Sequence, residues 1–452
     1  MYLKLNNTPP AEQRSSEWPQ TLPIVKGRHV VTVETHPRLT GILGATESLA
    51  RNITSTVEGL STDLRELSHG IHGIAEIGFE ERLSVAFAAE FLRYRGFPVQ
   101  VGRYGLRTSL RAEAGSGSPK VAVLAEYDAL PEVGHGCGHN VICAAAVGAF
   151  LGLAAHVQEL GGSVVLIGTP AEENGNGKEL LARAGAFDDI DAVVMLHPFT
   201  GEYEVASFAS LAVRDVEVTF HGVAAHASSA PHMGRNALDA VVAAYQGIAA
   251  LRQHIPVTDR LHCLINEGGT AVNVVPHLAR AVVEIRSLDP EGLIDLSQKV
   301  QNVLEGAALT TGTRLETNWD PFPAYLPVRS NNALAARYHS RMSARGRAIT
   351  LETELVGGGW STDLGNISLR IPSIHPTVSI SKATAVMHTV EFGQHSISPV
   401  GDAAVVDGAV GLALTMADYL ADAQLREQVR LDFEAAGGAL DVERLLTPPS
   451  GE

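Results

Sequence analysis

KVAVLAEYDALPEVGHGCGHN, residues 120–140, decides the reading of this chain. It opens on a short β-rich apolar run, Lys120 to Glu126, passes through a Gly-containing turn, and delivers the chain into the Ala-rich stretch VICAAAVGAFLGLAAHV, Val141 to Val157. A strand, a polar loop and a buried helix in that order form the start of a βαβ unit. Ser163 to Gly168 (SVVLIG) and Asp191 to His197 (DAVVMLH) repeat the apolar run with helical segments between them. Short apolar runs separated by helical segments are the order that produces a largely parallel sheet with helices on both faces. The fold class is therefore α/β. In such sheets ligands bind beyond the carboxyl ends of the strands, so the polar residues just after each run are the candidates for chemistry.

Those residues are unusual. Cys137 and His139 follow the first run, Glu172 and Glu173 (in TPAEEN) the second, and His197 ends the third; far along the chain His388 (in VMHT) lies in another loop close to a strand. The spacing of Cys137 and His139 in a tight turn lets a thiolate and an imidazole converge on one ion. Taken alone the pair is a weak signal and reads more readily as a reduced cysteine beside a helix-capping histidine. Repetition at successive strand ends favours one or two divalent ions, Zn²⁺ or Mn²⁺, since a soft thiolate argues against Mg²⁺ and Ca²⁺. With Glu173 as a ligand, the adjacent Glu172 is left free to take a proton from a water that the ion acidifies.

Composition agrees with a folded enzyme. The 452 residues carry 34 basic and 50 acidic side chains, a net charge of −16, which disfavours a nucleic-acid partner. Three cysteines, Cys137, Cys143 and Cys263, are too few for a disulfide framework and suit a reducing, cytoplasmic setting. The start, MYLKLNNTPPAEQRSSEWPQ, lacks the apolar core of a signal peptide. Val141 to Val157 is about a turn short of a bilayer span, so no membrane partner is expected. Leu60, Leu64, Leu67 and Ile71 recur at helical spacing, and Ser84 to Tyr94 continues similarly. From about residue 213 the pattern changes: VRDVEVTFHG alternates, an amphipathic helix spans Asn236 to His254, two strand-like runs cover Leu261 to Glu267 and Arg280 to Ser287, and a helix spans Pro290 to Glu305. This predicts an inserted α+β domain at 214–327 within a discontinuous domain of 1–213 and 328–452, residues 1–40 being a leader. A further strand is expected around Ser373 to Ile380, and a closing helix from Gly401 to Ala421.

CGHN at 137–140, TPAEEN at 169–174, LHP at 196–198, HGVAAHASSAPHMGRNALDA at 221–240, GGTAVNVVP at 268–276 and MHTVEF at 387–392 together resemble the M20 metallopeptidases. Within that family the chain is most similar to the group of p-aminobenzoyl-glutamate hydrolases and related dipeptidases. The resemblance spans roughly residues 60 to 420 in the right order. It implies a mostly parallel-sheet catalytic domain with an inserted lid or dimerisation domain. It implies metal ligands Cys137, His139, Glu173, His197 and His388, with Glu172 as general base. It further implies a homodimer in which His226 reaches a partner's active site, where an imidazole suits the oxyanion of acyl transfer. Asn273 and Arg286 would grip substrate, Arg286 by two parallel hydrogen bonds to a carboxylate, and Gly358 belongs to the Gly-rich loop GGGWSTDLGN at 357–366, where Asp363 would support the site from behind. The implied activity is hydrolysis of an amide bond in a small carboxylate-bearing substrate: an N-acyl or aryl-acyl amino acid, a p-aminobenzoyl-glutamate-like conjugate, or an unusual dipeptide. A catalytically silent binding or scaffold protein is the alternative, and the complete donor set speaks against it.

The sequence departs from the usual amidohydrolase pattern in three places. Ala125-Glu126-Tyr127-Asp128-Ala129-Leu130 replaces the common Arg-Ala-Asp-Met-Asp-Ala-Leu, Asn140 replaces an Asp, and Ala75 stands where relatives have Pro. The first two point to the subgroup, not to different chemistry. His69 and His72, on no strand end, are expected to be structural.

Overall fold

A computed structural model describes residues 44–201, 204–351, 359–381 and 385–447. Its central sheet takes β1 (Val99–Val101), β2 (Leu110–Gly115), β3 (Lys120–Ala125), β4 (Ser163–Gly168), β5 (Ala192–Val194) and β11 (Ser373–Ile374) in the order β1-β2-β4-β3-β5-β11. β3 lies parallel to β4 and β5, and β5 to β11, while β1 and β2 add antiparallel pairings at one edge. The unbroken apolar runs have a direct cause. Val121, Val123 and Ala125 face one core cluster and Ala122 and Leu124 the other, so both faces of the strand are withdrawn from water.

On the first face the helix His139–Ala154 is buried along nearly its whole length and packs against the helices Ser61–Ile74 and Pro399–Ala421. The latter is, among the described residues, the one helix long and apolar enough to cross a bilayer, and most of it is buried in the core. Ser398 caps its start, followed by Pro399 at the first helical position, where a missing N–H costs nothing.

The run Asp191–His197 is two elements where the sequence suggested one. β5 ends at Val194, and β6 (His197–Thr200) pairs in parallel with β12 (Thr377–Ser381) in a separate two-stranded sheet. The stretch Ser373 to Ile380 divides likewise, into β11 and β12, with Pro376 between them; a residue without an N–H cannot continue a ladder.

A second, antiparallel sheet runs β10-β7-β9-β8, from β7 (Ala212–His221), β8 (Arg260–Glu267), β9 (Leu278–Ser287) and β10 (Arg314–Trp319). Helices Ala237–Leu251 and Pro290–Thr311 cover one face, burying Val216, Val218, Phe220, Val283 and Ile285. The opposite face carries Val213, Asp215, Glu217, Val282, Glu284 and Arg286, and looks into a cleft that it shares with the strand ends of the first sheet. Arg214, buried, ties this sheet to the carboxyl-terminal segment: it holds Asp320 through two 2.8 Å bonds and donates to the Leu446 carbonyl at 2.6 Å.

Candidate metal centre

Cys137 sits in the turn between β3 and the helix that begins at His139. Two glycines shape the turn. Gly138 adopts φ +76°, and a Cβ there would stand 2.9 Å from the Pro198 ring; a Cβ on Gly136 would come within 3.2 Å of the His388 backbone. The His388 N–H donates to the Gly136 carbonyl at 2.8 Å. That bond brings a residue 251 positions away from Cys137 to the same loop.

His139 is oriented from behind. Asp128 contacts its Nδ1 at 3.0 Å and also accepts the Glu173 N–H at 3.0 Å, so one carboxylate sets both candidate ligands. Nε2 then faces Glu126 at 3.4 Å, Glu172 at 3.8 Å and Glu173 at 3.9 Å. His197 Nε2 lies 3.8 Å from the Cys137 thiol, its Nδ1 engaged with the Pro198 carbonyl. His388 Nε2 reaches Glu173 at 3.5 Å. Among the described residues four groups have donor atoms within 4.8 Å of one another, and three of them contain the expected ligands: Cys137 with His139 and His197, Cys137 with Glu173 and His388, and His139 with Glu172 and Glu173. Cys137 belongs to two of them, so its thiolate can serve two ion positions.

These residues fit a divalent ion on the chemistry of the donors. His139 Nε2 and Glu173 Oε1 are buried with no hydrogen-bond partner, a costly arrangement unless something else binds them. Acidic groups crowd the site and raise one another's affinity for a proton. Burial and then the neighbouring Glu126 and Glu173 push the Glu172 carboxyl well above the ordinary range. Burial followed by Glu173 does the same to the Cys137 thiol. Burial opposes charge on His139, yet Asp128 and Glu126 push its pKa well above the usual value. Burial holds His197 down, at about 4, so it is the neutral imidazole that metals prefer.

Glu172 follows Ala171, a left-handed residue at φ +59° whose N–H is accepted by buried Glu81 at 2.8 Å. Tyr325 donates its hydroxyl hydrogen to the Glu172 carbonyl at 2.6 Å. Glu172, Cys137, Glu173, His197 and His388 line one cleft of about 560 Å³, with Phe199, Phe322, Tyr325 and Trp360 as its apolar surfaces. His139 stands behind that lining, fully buried.

The other expected residues are dispersed. Arg286 lines the cleft, but its Nε and Nη2 are spent on Glu284 at 2.8 and 3.1 Å and its Nη1 on the Gly359 carbonyl at 2.8 Å. His226 and Asn273 are neighbours at the surface, joined by the Ala227 N–H to Asn273 carbonyl bond of 3.0 Å, and neither lines the cleft. The Ser228 and Ser229 N–H groups donate to His226 Nδ1 at 3.3 Å, which leaves its proton on Nε2. Gly358 lies outside the described residues. His69 pairs with Asp402 at 2.7 Å and His72 Nε2 contacts the Gly393 carbonyl at 3.1 Å, both away from the donor groups.

Glu126, Asp128, Lys178 and Tyr325 are site residues that sequence reasoning did not single out. Asp128 had a usable signal, its place three residues after the end of β3. Lys178, buried between Glu126 and Asp363, resembled any helical surface lysine.

Comparison with known proteins places the chain in a family. A family model described as a peptidase dimerisation domain matches residues 212–311. The Xaa-Arg dipeptidase of Mus musculus is 34% identical over 416 residues, covering 88% of this chain and 95% of that protein. One of the two kinds of p-aminobenzoyl-glutamate hydrolase polypeptide from Escherichia coli (strain K12) is 34% identical over 307 residues, 63% of each chain. Among solved structures, an aminobenzoyl-glutamate utilization protein from Klebsiella pneumoniae superposes with a TM-score of 0.63 at 21% identity over 80% of this chain and 98% of its own. A dinuclear metal-binding peptidase of the M20 family from Bacillus subtilis superposes with a TM-score of 0.59 at 20% identity over 79% and 99%. At those identities the structural likeness is one of fold.

Proposed function

The chain belongs to the M20 peptidase family of amide-bond hydrolases, and on that premise we propose that it cleaves a small peptide-like amide whose released amino acid bears a free carboxylate and a cationic side chain. The observation that carries the reading is the convergence of Cys137, His139, Glu173, His197 and His388, with unpartnered donor atoms, beside Glu172. A divalent ion held there, Zn²⁺ or Mn²⁺, singly or as a pair, would polarise the scissile carbonyl and acidify a water.

The chain's own residues do the rest. Glu172 takes the proton of the attacking water and returns it to the leaving nitrogen as the C–N bond breaks. Residues 214–327 act as the lid and dimerisation domain. His226 and Asn273, at the surface and away from their own cleft, enter the site from a second copy of the chain, where the His226 Nε2–H donates to the developing oxyanion. Arg286 turns from Glu284 to the substrate carboxylate. Asp215, Glu217 and Glu284 then present an acidic wall, which suits a cationic side chain, and the name of the mouse relative points the same way. The cysteines are free thiols, in keeping with a reducing, cytoplasmic setting.

The test is amine release from a panel of Xaa-Arg, Xaa-Lys and neutral dipeptides, N-acyl amino acids and p-aminobenzoyl-glutamate, with and without added Zn²⁺ or Mn²⁺. Metal-dependent turnover, with the highest kcat/KM on basic dipeptides, is expected. No turnover of any amide with either metal would overturn the assignment.

A further inference from the structure

We propose that Glu126 is a sixth donor to the metal centre, presenting Oε2 to the ion held by His139, with Lys178 and Asp363 as the buried clamp that aims it; the proposal rests on the metal-dependent reading above.

Glu126 directly follows β3 and is fully buried, as are Lys178 and Asp363. Its two oxygens have different fates. Oε1 accepts from Lys178 Nζ, and that ammonium also donates to Asp363 Oδ1 at 2.6 Å, while the Lys178 N–H donates to Asp363 Oδ2 at 3.0 Å. The clamp is thereby closed on backbone and side chain together. Oε2 has no hydrogen-bond partner, and neither has His139 Nε2, 3.4 Å away. Two donors at about 2.1 Å from one tetrahedral ion stand roughly 3.4 Å apart. The ring cannot turn away, because Asp128 holds its other nitrogen. Two fully buried polar atoms thus face each other at the separation of neighbouring ligands, without the contact of a hydrogen bond.

The identity of the clamp fits the role. Oxygens of Glu126, Glu172 and Asp363 lie within 4.8 Å of one another, a repulsive set that needs a cation. Lysine supplies a compact point charge, whereas an arginine fork would engage both oxygens of a carboxylate. Only the former neutralises the cluster and still leaves Oε2 for a metal.

The experiment measures Co²⁺ and Zn²⁺ affinity of the full-length protein by chelator competition, together with the visible absorption of the Co²⁺ form. Glu126→Gln keeps an oxygen for Lys178 and changes volume little. It is expected to weaken one ion by more than the ~100-fold typical of residues that merely orient ligands, and to shift the Co²⁺ bands as one donor is lost. Lys178→Met is expected to weaken the same ion less and to leave the other alone. If Glu126→Gln fails to fold by circular dichroism, Glu126→Asp, which keeps the charge and withdraws the carboxylate by one methylene, must show the same loss. A folded Glu126 variant with wild-type affinities, or with weakened binding and unchanged Co²⁺ bands, overturns the proposal. Failure of the wild-type protein to bind either metal would instead overturn the metal-dependent reading on which it rests.

Discussion

Asp128→Asn should weaken metal binding without unfolding the protein, and the structure sets the size of the effect. The carboxylate meets His139 Nδ1 at 3.0 Å through Oδ1 and accepts the Glu173 N–H at 3.0 Å through Oδ2, and it is almost entirely buried. An amide has one acceptor atom. Whichever way it turns, either the Glu173 N–H or the His139 Nδ1–H faces an NH₂ group. A buried donor left unpaired costs about 1–3 kcal/mol. Histidine can escape only by moving its proton to Nε2, the nitrogen the ion requires, so the cost is transferred to metal binding. At about 1.4 kcal/mol per decade, affinity should fall by roughly 10–100-fold, the range known for groups that orient metal-bound histidines. Competition against a chromophoric chelator reads this directly, with circular dichroism as the check on folding. A folded Asp128→Asn protein with the wild-type Kd would refute the claim that Asp128 sets the ligands.

Other expectations follow from the same geometry. Glu172→Gln should lower kcat by about 10²–10⁴-fold with metal content unchanged; near-normal turnover would remove Glu172 from its role. Asp215 is raised to about 6 by burial and then by Glu284. It is charged above that pH and neutral below it, so KM for a basic dipeptide should rise as pH falls through about 6 while that of a neutral dipeptide does not. A KM–pH profile unchanged by Asp215→Asn would show that this wall does not read the side chain. Arg214→Met should cost about 3–5 kcal/mol, because Asp320 loses its buried partner, and a thermal melt within a degree of wild type would contradict that estimate.

Much of the site was legible because ligand position follows strand position. Lys120–Ala125, Ser163–Gly168 and the run at Asp191 are buried on both faces and so stand out as continuous apolar segments. The donors come in the loops that follow them. Two strands with charge in their pattern were not legible. β2, one in from the sheet edge, carries Arg111, buried against Asp189, and the edge strand β10 reads RLETNW, since a strand with one wet face mixes charge into its pattern. The approach of His388 depends on a backbone hydrogen bond to Gly136, which leaves no trace in residue type. Glu126 and Lys178 were hidden for a related reason: a buried charge pair has the composition of a surface, and only the fold shows that water is absent.

Anomalous diffraction at the zinc edge from crystals of the Zn²⁺-loaded protein tests the convergence of these donors on one site most directly. One or two peaks are expected within about 2.5 Å of Cys137 Sγ and His139 or His197 Nε2, with Glu173 and His388 completing the shell. Zinc bound in the crystal but none of it within that distance of Cys137 would contradict the account.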